Sequence, residues 1–383
     1  MLTRLAFAML LVCASFLPAE AVAQAADSNL ARAKRILRST PLIDGHNDLA
    51  WRIREDKNMP RDVEAYDLRK TTPGHTDLAR MKEGMVGAQF WSVYIPGEIR
   101  DSGYARVQLE EIDIARRFIA KYPERFAFAT RASDIRYDFA QGKVASFLGM
   151  EGGHAIENSL GALRAYYALG VRYMTLTHNV TLDWADAALD TAKHGGLTPF
   201  GKEVVREMNR LGMLVDLAHV SPGTMSAVLD VSAAPVIFSH SGARALVDHP
   251  RDVPDSILAR LPKNGGIVMV PFVNTFVSPK ARAHGLAEEK VRSDAKAKFG
   301  ADTAAAQHEV AAWQAANPPV RASIADVADH VEHVRDVAGI DHVGIGSDFD
   351  GIDDVIPGLE NVSKFPNLLA ELARRGWSDA DLR

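Results

Sequence analysis

The stretch Phe147-Leu148-Gly149-Met150-Glu151-Gly152-Gly153-His154 decides how the chain is read. An apolar run reaches Met150, a carboxylate follows, and two glycines turn the backbone. That pattern predicts a buried strand with an acid displayed at its C-terminal end. Alone, Glu151 would be an ordinary polar residue at a sheet rim. Five further strand-like runs repeat the arrangement: Leu42 to Asp48 (carrying His46 and Asp48), Tyr173 to His178, Leu214 to His219, Val236 to His240 and Val343 to Asp348. If such strands are parallel and close into a barrel, all these side chains meet at one mouth.

The spacing of the remaining elements supports that closure. Helical patterns at Ser159 to Leu169, Phe200 to Leu211, Pro222 to Val231 and Pro254 to Leu261 alternate with the strands and lead to a last apolar run, Gly266 to Phe272. An earlier helix is expected from Asp27 to Ser39, a second strand within Gly84 to Tyr94, and a long helix from Tyr104 to Tyr122. Strand–helix alternation with short turns means a parallel sheet with right-handed crossovers. About eight strands fit an α/β fold of the (β/α)8, TIM-like kind. Residues 278–316 break the pattern with Ala, Lys, Glu and Gln at helical spacing, which predicts an inserted helical excursion.

Bulk properties narrow the function. A chain of 383 residues, 47% hydrophobic, suits one large catalytic domain, read here as residues 24–383. The net charge of −5 and the lack of a basic stripe argue against nucleic acid as a partner. Residues 1–23 read as a signal peptide: Arg4 precedes the apolar run Leu5 to Leu17, and Ala21-Val22-Ala23 offers a cleavage site. A periplasmic or secreted protein without a membrane anchor is therefore expected. The single cysteine, Cys13, would leave with the signal, so any metal must be held by His and carboxylates.

His46 and Asp48 are two apart on a predicted strand, a metal-ligand spacing; Asp44 shares their side but lies deeper, as a hydrogen-bonding support. His219 and His240 each end an apolar strand, where neutral imidazoles suit zinc. Glu151 has two oxygens and could bridge two ions. His154 reads as structural, and His75, His194 and His249 as solvated loop residues. Asp350 competes with Asp348 for an acid–base role. Without further information Arg251 would be a surface salt-bridge partner.

Several motifs together resemble the membrane (renal) dipeptidase family, in its exported bacterial form. They are Pro41 to Leu49, Gln89-Phe90-Trp91-Ser92-Val93-Tyr94, Glu151-Gly152-Gly153-His154, Leu176-Thr177-His178, Asp216 to Ser221, Phe238-Ser239-His240-Ser241 and Asp348-Phe349-Asp350-Gly351. The resemblance runs from about Pro41 to Arg383. It implies a (β/α)8 barrel with a dinuclear metal site at the C-terminal mouth, two Zn2+ per chain, and hydrolysis of dipeptides to free amino acids by a hydroxide shared between the ions. It implies metal ligands His46, Asp48, Glu151 (bridging), His219 and His240. His178 would steady the oxyanion, Arg251 would bind the substrate carboxylate, and Asp348 would move the proton. A homodimer is a further family-level expectation.

Some features depart from the family. Ala50 stands where relatives usually have Pro, no cysteines remain for the disulfides of animal members, and no apolar C-terminal tail is present for a lipid anchor. Relatives continue through a final helix past the position of Arg383, so the capped helix beginning at Ser378 is expected to be incomplete. The competing enzyme reading is another amidohydrolase-type metallohydrolase, acting on acyl-amino acids, lactones or phosphate esters. Such enzymes commonly begin with His-x-His and bridge with a carbamylated Lys, whereas this chain has His46-x-Asp48 and Glu151. A catalytically dead binding protein would be expected to have lost ligands or Asp348, and none is lost.

Overall fold

Alternate residues along Val144–Glu151 face two different environments. Ala145 and Phe147 join an apolar cluster with Ala88, Phe90, Tyr173, Ile237 and Met269, while Val144, Leu148 and Met150 join the main core. Strand side chains have a period of two. One column therefore fills the interior of a closed sheet and the other packs beneath the surrounding helices. Glu151 belongs to the inner column and stands at its top.

The computed structural model describes residues 19–99 and 103–383, with side chains from Ser28 onward. Among them are nine strands: β1 (Leu42–Asn47), β2 (Val86–Ser92), β3 (Phe126–Phe128), β4 (Val144–Glu151), β5 (Val171–Thr175), β6 (Leu214–Asp216), β7 (Ile237–Phe238), β8 (Ile267–Val270) and β9 (Val343–Ile345). Every pairing between them is parallel. Pairing of β2 with β4 closes the circuit β1-β2-β4-β5-β6-β7-β8-β9, an eight-stranded TIM-like barrel as expected. β3 stands outside that circuit and pairs with the first residues of β4. Neither β3 nor the helix Ala132–Ala140 after it was expected, because three strand residues are too few to display a period.

The barrel interior is packed tightly enough to require a glycine. A Cβ at Gly149 would lie 2.0 Å from Cζ of Tyr173. The bare backbone there lets the Tyr173 ring cross the interior, and its hydroxyl meets His46 Nδ1 at 2.9 Å. The apolar bottom of the barrel thus props a residue of the polar top.

Helix starts are punctuated by local chemistry. Thr198-Pro199, Ser221-Pro222 and Ser278-Pro279 each place a capping hydroxyl before a proline in the first turn. A cap of this kind contributes about 1 kcal/mol, and proline pre-sets the helical φ without losing a needed N–H. Residues 278–316 form two helices, Pro279–Phe299 and Thr303–Ala316, packed on each other. The first described helix runs Ala19–Leu37, starting earlier than the expected Asp27. Its Arg32 pairs with Asp379 at 2.6 Å, on the short helix Asp379–Leu382 that Ser378 caps. Residues 1–18 of the predicted signal peptide lie outside the described residues. No described helix is long and apolar enough to cross a membrane.

Candidate metal centre

The candidate residues converge at the C-terminal mouth, although most lie beyond the strands on which they were expected. Glu151 ends β4 and His46 lies within β1. His178, His219, His240 and Asp348 all sit in the turns just after β5, β6, β7 and β9. Two of those turns need left-handed backbone, with φ +66° at His219 and +67° at Asp348. Such values are uncommon outside glycine and cluster at functional sites. The strand pattern pointed to residues that do meet at the mouth, but the bend that aims them inward lies beyond the reach of a period-two argument.

Three overlapping groups result: His46 with Glu151 and His240, Glu151 with His178 and His219, and His46 with Asp48 and Asp348. Each offers ligand atoms within 4.8 Å of one another. Whether they fit a metal depends on where the protons are, which the partners' chemistry assigns. His219 Nδ1 faces the Asn179 side-chain oxygen at 3.0 Å, an acceptor, so Nδ1 carries the proton. Ser239 donates its hydroxyl to Asp216 Oδ2 (2.7 Å), so it accepts from His240 Nδ1 at 2.8 Å. Both Nε2 atoms are then lone pairs. They lie 3.0 Å apart, and Glu151 Oε1 is 2.8 Å from His219 Nε2 and 3.5 Å from His240 Nε2. Three electron pairs point at one another with no proton to share. Neutral imidazoles and a carboxylate so arranged fit a cation, and the second-sphere bonds are the kind that orient metal-binding histidines.

The other flank is richer in carboxylate. His46 Nε2 is 3.1 Å from Asp48 Oδ2, 3.4 Å from Glu151 Oε2 and 4.0 Å from Asp348 Oδ1. Asp48 Oδ1 is buried with no hydrogen-bond partner. Burial, the largest influence, lifts Asp348 to about 8, with Asp48 and Glu151 adding to it. Burial also raises Glu151. For His46 burial acts downward, but Tyr173, Asp48 and Glu151 outweigh it and the imidazole is raised well above its usual value. His219 and His240 go the other way, pushed down by burial and then by charges that include Arg251. Cations in the site would draw the carboxyls back down.

Asp44 is a support, as expected: it accepts from Ser347 N, Ser347 Oγ and Gln89 Nε2. Arg251 is not on the surface. It is 5% exposed, stacks over Phe276 and reaches the His240 carbonyl with Nη2 at 3.5 Å, and its Nε has no partner among the described residues. His178 lies between Tyr94 and His219. Burial, followed by Arg251, lowers its pKa to about 3, which keeps it neutral. His154 packs behind the site and bonds the Ile95 carbonyl.

All three loop histidines differ from expectation; His194 is part-buried, with Nε2 bonded to the Leu182 carbonyl. His249 is buried against Phe276 and accepts from Arg251 N, and His75 is held by Asp350. Asp350 faces His75 rather than the His46 cluster, which separates it from Asp348. Asn179, Tyr173 and the Asp216–Ser239 pair were not singled out as supports, since nothing local marks the imidazoles they hold.

Comparison with known proteins agrees with this geometry. The family description "Membrane dipeptidase (Peptidase family M19)" matches residues 30–383. The probable dipeptidase PvdM from Pseudomonas aeruginosa shares the fold, with TM-score 0.78 and 23% identity over 93% of this chain and 94% of that one. A metallo peptidase from Rhodobacter sphaeroides, liganded with a phosphinate mimic of L-Ala-D-Ala, has TM-score 0.72 and 25% identity over 90% and 95% of the two chains. A metallo peptidase of family M19, dipeptidase AC, has TM-score 0.74 and 26% identity over 90% and 95%. With a TIM-like barrel, a metal-ready cluster at its mouth and a family match across nearly all described residues, the chain belongs to the membrane dipeptidase family, peptidase family M19.

Proposed function

We propose that this chain is an exported dipeptidase that uses two zinc ions to hydrolyse dipeptides into free amino acids. The observation that carries the reading is the convergence of Glu151 Oε1 with two imidazole lone pairs that share no proton. His219 and His240 would hold one ion, and His46 and Asp48 the other. Glu151 would offer one oxygen to each, since Oε1 faces His219 and Oε2 faces His46. When bound, the ions supply Lewis acidity that brings the pKa of water toward neutrality and polarises a carbonyl.

The chain's own groups do the rest. Burial and the neighbouring Asp48 and Glu151 raise the Asp348 carboxyl, and bound cations would bring it back toward neutrality, where it is suited to accept the proton of the attacking water and return it to the leaving amine. Neutral His178, at the open side of the cluster, donates an N–H to the oxygen that gains charge. Arg251 is a buried guanidinium short of partners, and its fork matches a carboxylate with two parallel hydrogen bonds. A fixed cation one residue beyond the scissile bond limits substrates to those that end there. Export rests on the Leu5 to Leu17 run and Ala21-Val22-Ala23, with residues 24–383 acting as one barrel unit.

The test is metal analysis of the purified protein, followed by a hydrolysis screen of L-L, L-D and D-L dipeptides and matching tripeptides. An L-D series belongs in the screen because a relative was solved with a mimic of L-Ala-D-Ala. Two zinc ions per chain and cleavage confined to dipeptides are expected. Full activity after exhaustive metal removal, or equal cleavage of tripeptides, would overturn the proposal.

A further inference from the structure

The turn after β9 carries two aspartates, and only one faces the cluster. Asp348 and Asp350 both have φ +67°, so the chain kinks twice within three residues. The first kink aims Asp348 toward His46. The second aims Asp350 instead at His75, near the end of the long segment between the helices Leu49–Arg54 and Leu78–Glu83. There the contact is reciprocal. Asp350 Oδ1 accepts from His75 N at 2.7 Å, and Asp350 N donates to His75 Nδ1 at 2.9 Å. Gly74 makes room for it, because a Cβ at that position would lie 2.2 Å from Asp350 Oδ1.

The same segment is tied to the other side of the cluster. Asn47, between His46 and Asp48, donates from Nδ2 to Thr76 Oγ1 at 2.9 Å. The two strand ends are also joined directly. Asp348 N donates to the His46 carbonyl (3.2 Å), and Asp48 N to the Phe349 carbonyl (2.9 Å). A Cβ at Gly351 would lie 2.3 Å from Asp48 Oδ2 and 2.9 Å from Asp348 Oδ1, so the turn brings two carboxylates as close as a bare backbone allows.

We infer that the His75–Asp350 clasp is a positioning device that holds the Asp348 carboxylate at the metal centre through the backbone of the turn. Asp350 is then a positioning residue that never meets substrate. The inference rests on the proposed role of Asp348 and explains why a second buried acid follows it. Two acids cannot be told apart by type, but here they face different partners.

The experiment compares Asp350→Asn, Asp350→Gly, His75→Ala and Asp348→Asn, with metal content, kcat and KM measured on one dipeptide and melting temperature recorded. Asn keeps an oxygen for His75 N and tolerates the left-handed backbone; Gly keeps the backbone and loses the oxygen. Asp350→Gly should lower kcat about tenfold to a hundredfold, as a small misplacement of a catalytic group does, with KM and metal content near wild type. Asp350→Asn should restore most of kcat, and His75→Ala should fall between. His75→Ala leaves the turn sequence intact and keeps the test open if Asp350→Gly folds poorly.

Loss in Asp350→Asn equal to that in Asp350→Gly would make Asp350 itself a proton carrier and overturn the inference. So would a lower melting temperature with unchanged kcat in both Asp350→Gly and His75→Ala, which marks a merely structural clasp. An active Asp348→Asn would sink the shuttle reading and the clasp's purpose with it. An inactive Asp348→Asn beside unaffected clasp variants would sink the clasp alone.

Discussion

The two flanks of the metal centre are built differently. On the β6–β7 flank, two imidazoles are held as neutral lone-pair donors by Asn179 and by Ser239 backed by Asp216. On the β1–β9 flank, one imidazole backed by a phenol faces Asp48, Glu151 and Asp348. The first flank presents lone pairs with almost no freedom to take up protons. The second concentrates negative charge beside a carboxyl whose pKa is raised to about 8. On the proposed reading, one flank holds a cation and the other balances charge and moves a proton. Glu151 belongs to both, with one oxygen on each side.

The comparison breaks most completely at Glu151. On the proposed reading Glu151→Gln loses at least one zinc and nearly all activity, because an amide cannot balance two dications. Elemental analysis checks it, and two tightly held ions in the variant would dissolve the shared role. Next in size is Arg251, which on the proposed reading serves substrate rather than either flank. A charge-assisted hydrogen bond is worth roughly 1.5–3 kcal/mol, so Arg251→Ala should lose on the order of 10- to 150-fold in kcat/KM. Amidating the dipeptide's C-terminus should cost the wild type a similar factor and the variant little more. If the two losses multiply, the carboxylate is read elsewhere.

A finer probe of the first flank is Ser239→Ala, which removes the acceptor for His240 Nδ1 while leaving every ligand in place. Metal affinity should fall by about 10- to 100-fold, the usual scale for second-sphere partners. A competition titration with a chelator measures it, and unchanged affinity would mean that the tautomer needs no support.

The last effect is on stability rather than activity and lies outside both flanks. His330 is 1% exposed and accepts from Ala243 N, and burial lowers its pKa to about 4. A folded pKa below the unfolded value of about 6.5 means that the unfolded chain binds the proton first. Stability is therefore complete above pH 6.5 and is lost as pH falls toward 4, by up to roughly 1.4 kcal/mol per unit for this histidine. Urea unfolding across that range should be flatter in His330→Gln. An unchanged slope would assign the acid sensitivity to other groups, such as His154, whose pKa burial also lowers to about 4.

Much of this protein was legible in the chain. The run ending at Glu151, the repeated acid and imidazole endings and the strand–helix alternation sufficed for the barrel, because burial on both faces leaves strands with continuous apolar runs that end sharply. The same endings placed His46, Glu151, His219, His240 and Asp348 at one mouth, since parallel strands share a C-terminal end. The three-residue strand Phe126–Phe128 was too short to register.

What only the tertiary structure decided was direction and partnership. Asp348 and Asp350 are the same residue type two apart, and a strand period would aim both inward. The left-handed turn sends one to His46 and the other to His75, across 275 residues of chain. From residue type alone Arg251 read as a surface salt-bridge partner, and only the family resemblance pointed to a substrate carboxylate; the fold buries it beside the His240 carbonyl and Phe276. Residue type and spacing carry the chemistry available to a chain, because side-chain character and backbone period are local. Which proton is missing, which carboxylate is crowded and which cation lacks a partner depend on groups brought together from distant strands, and those exist only once the barrel has closed.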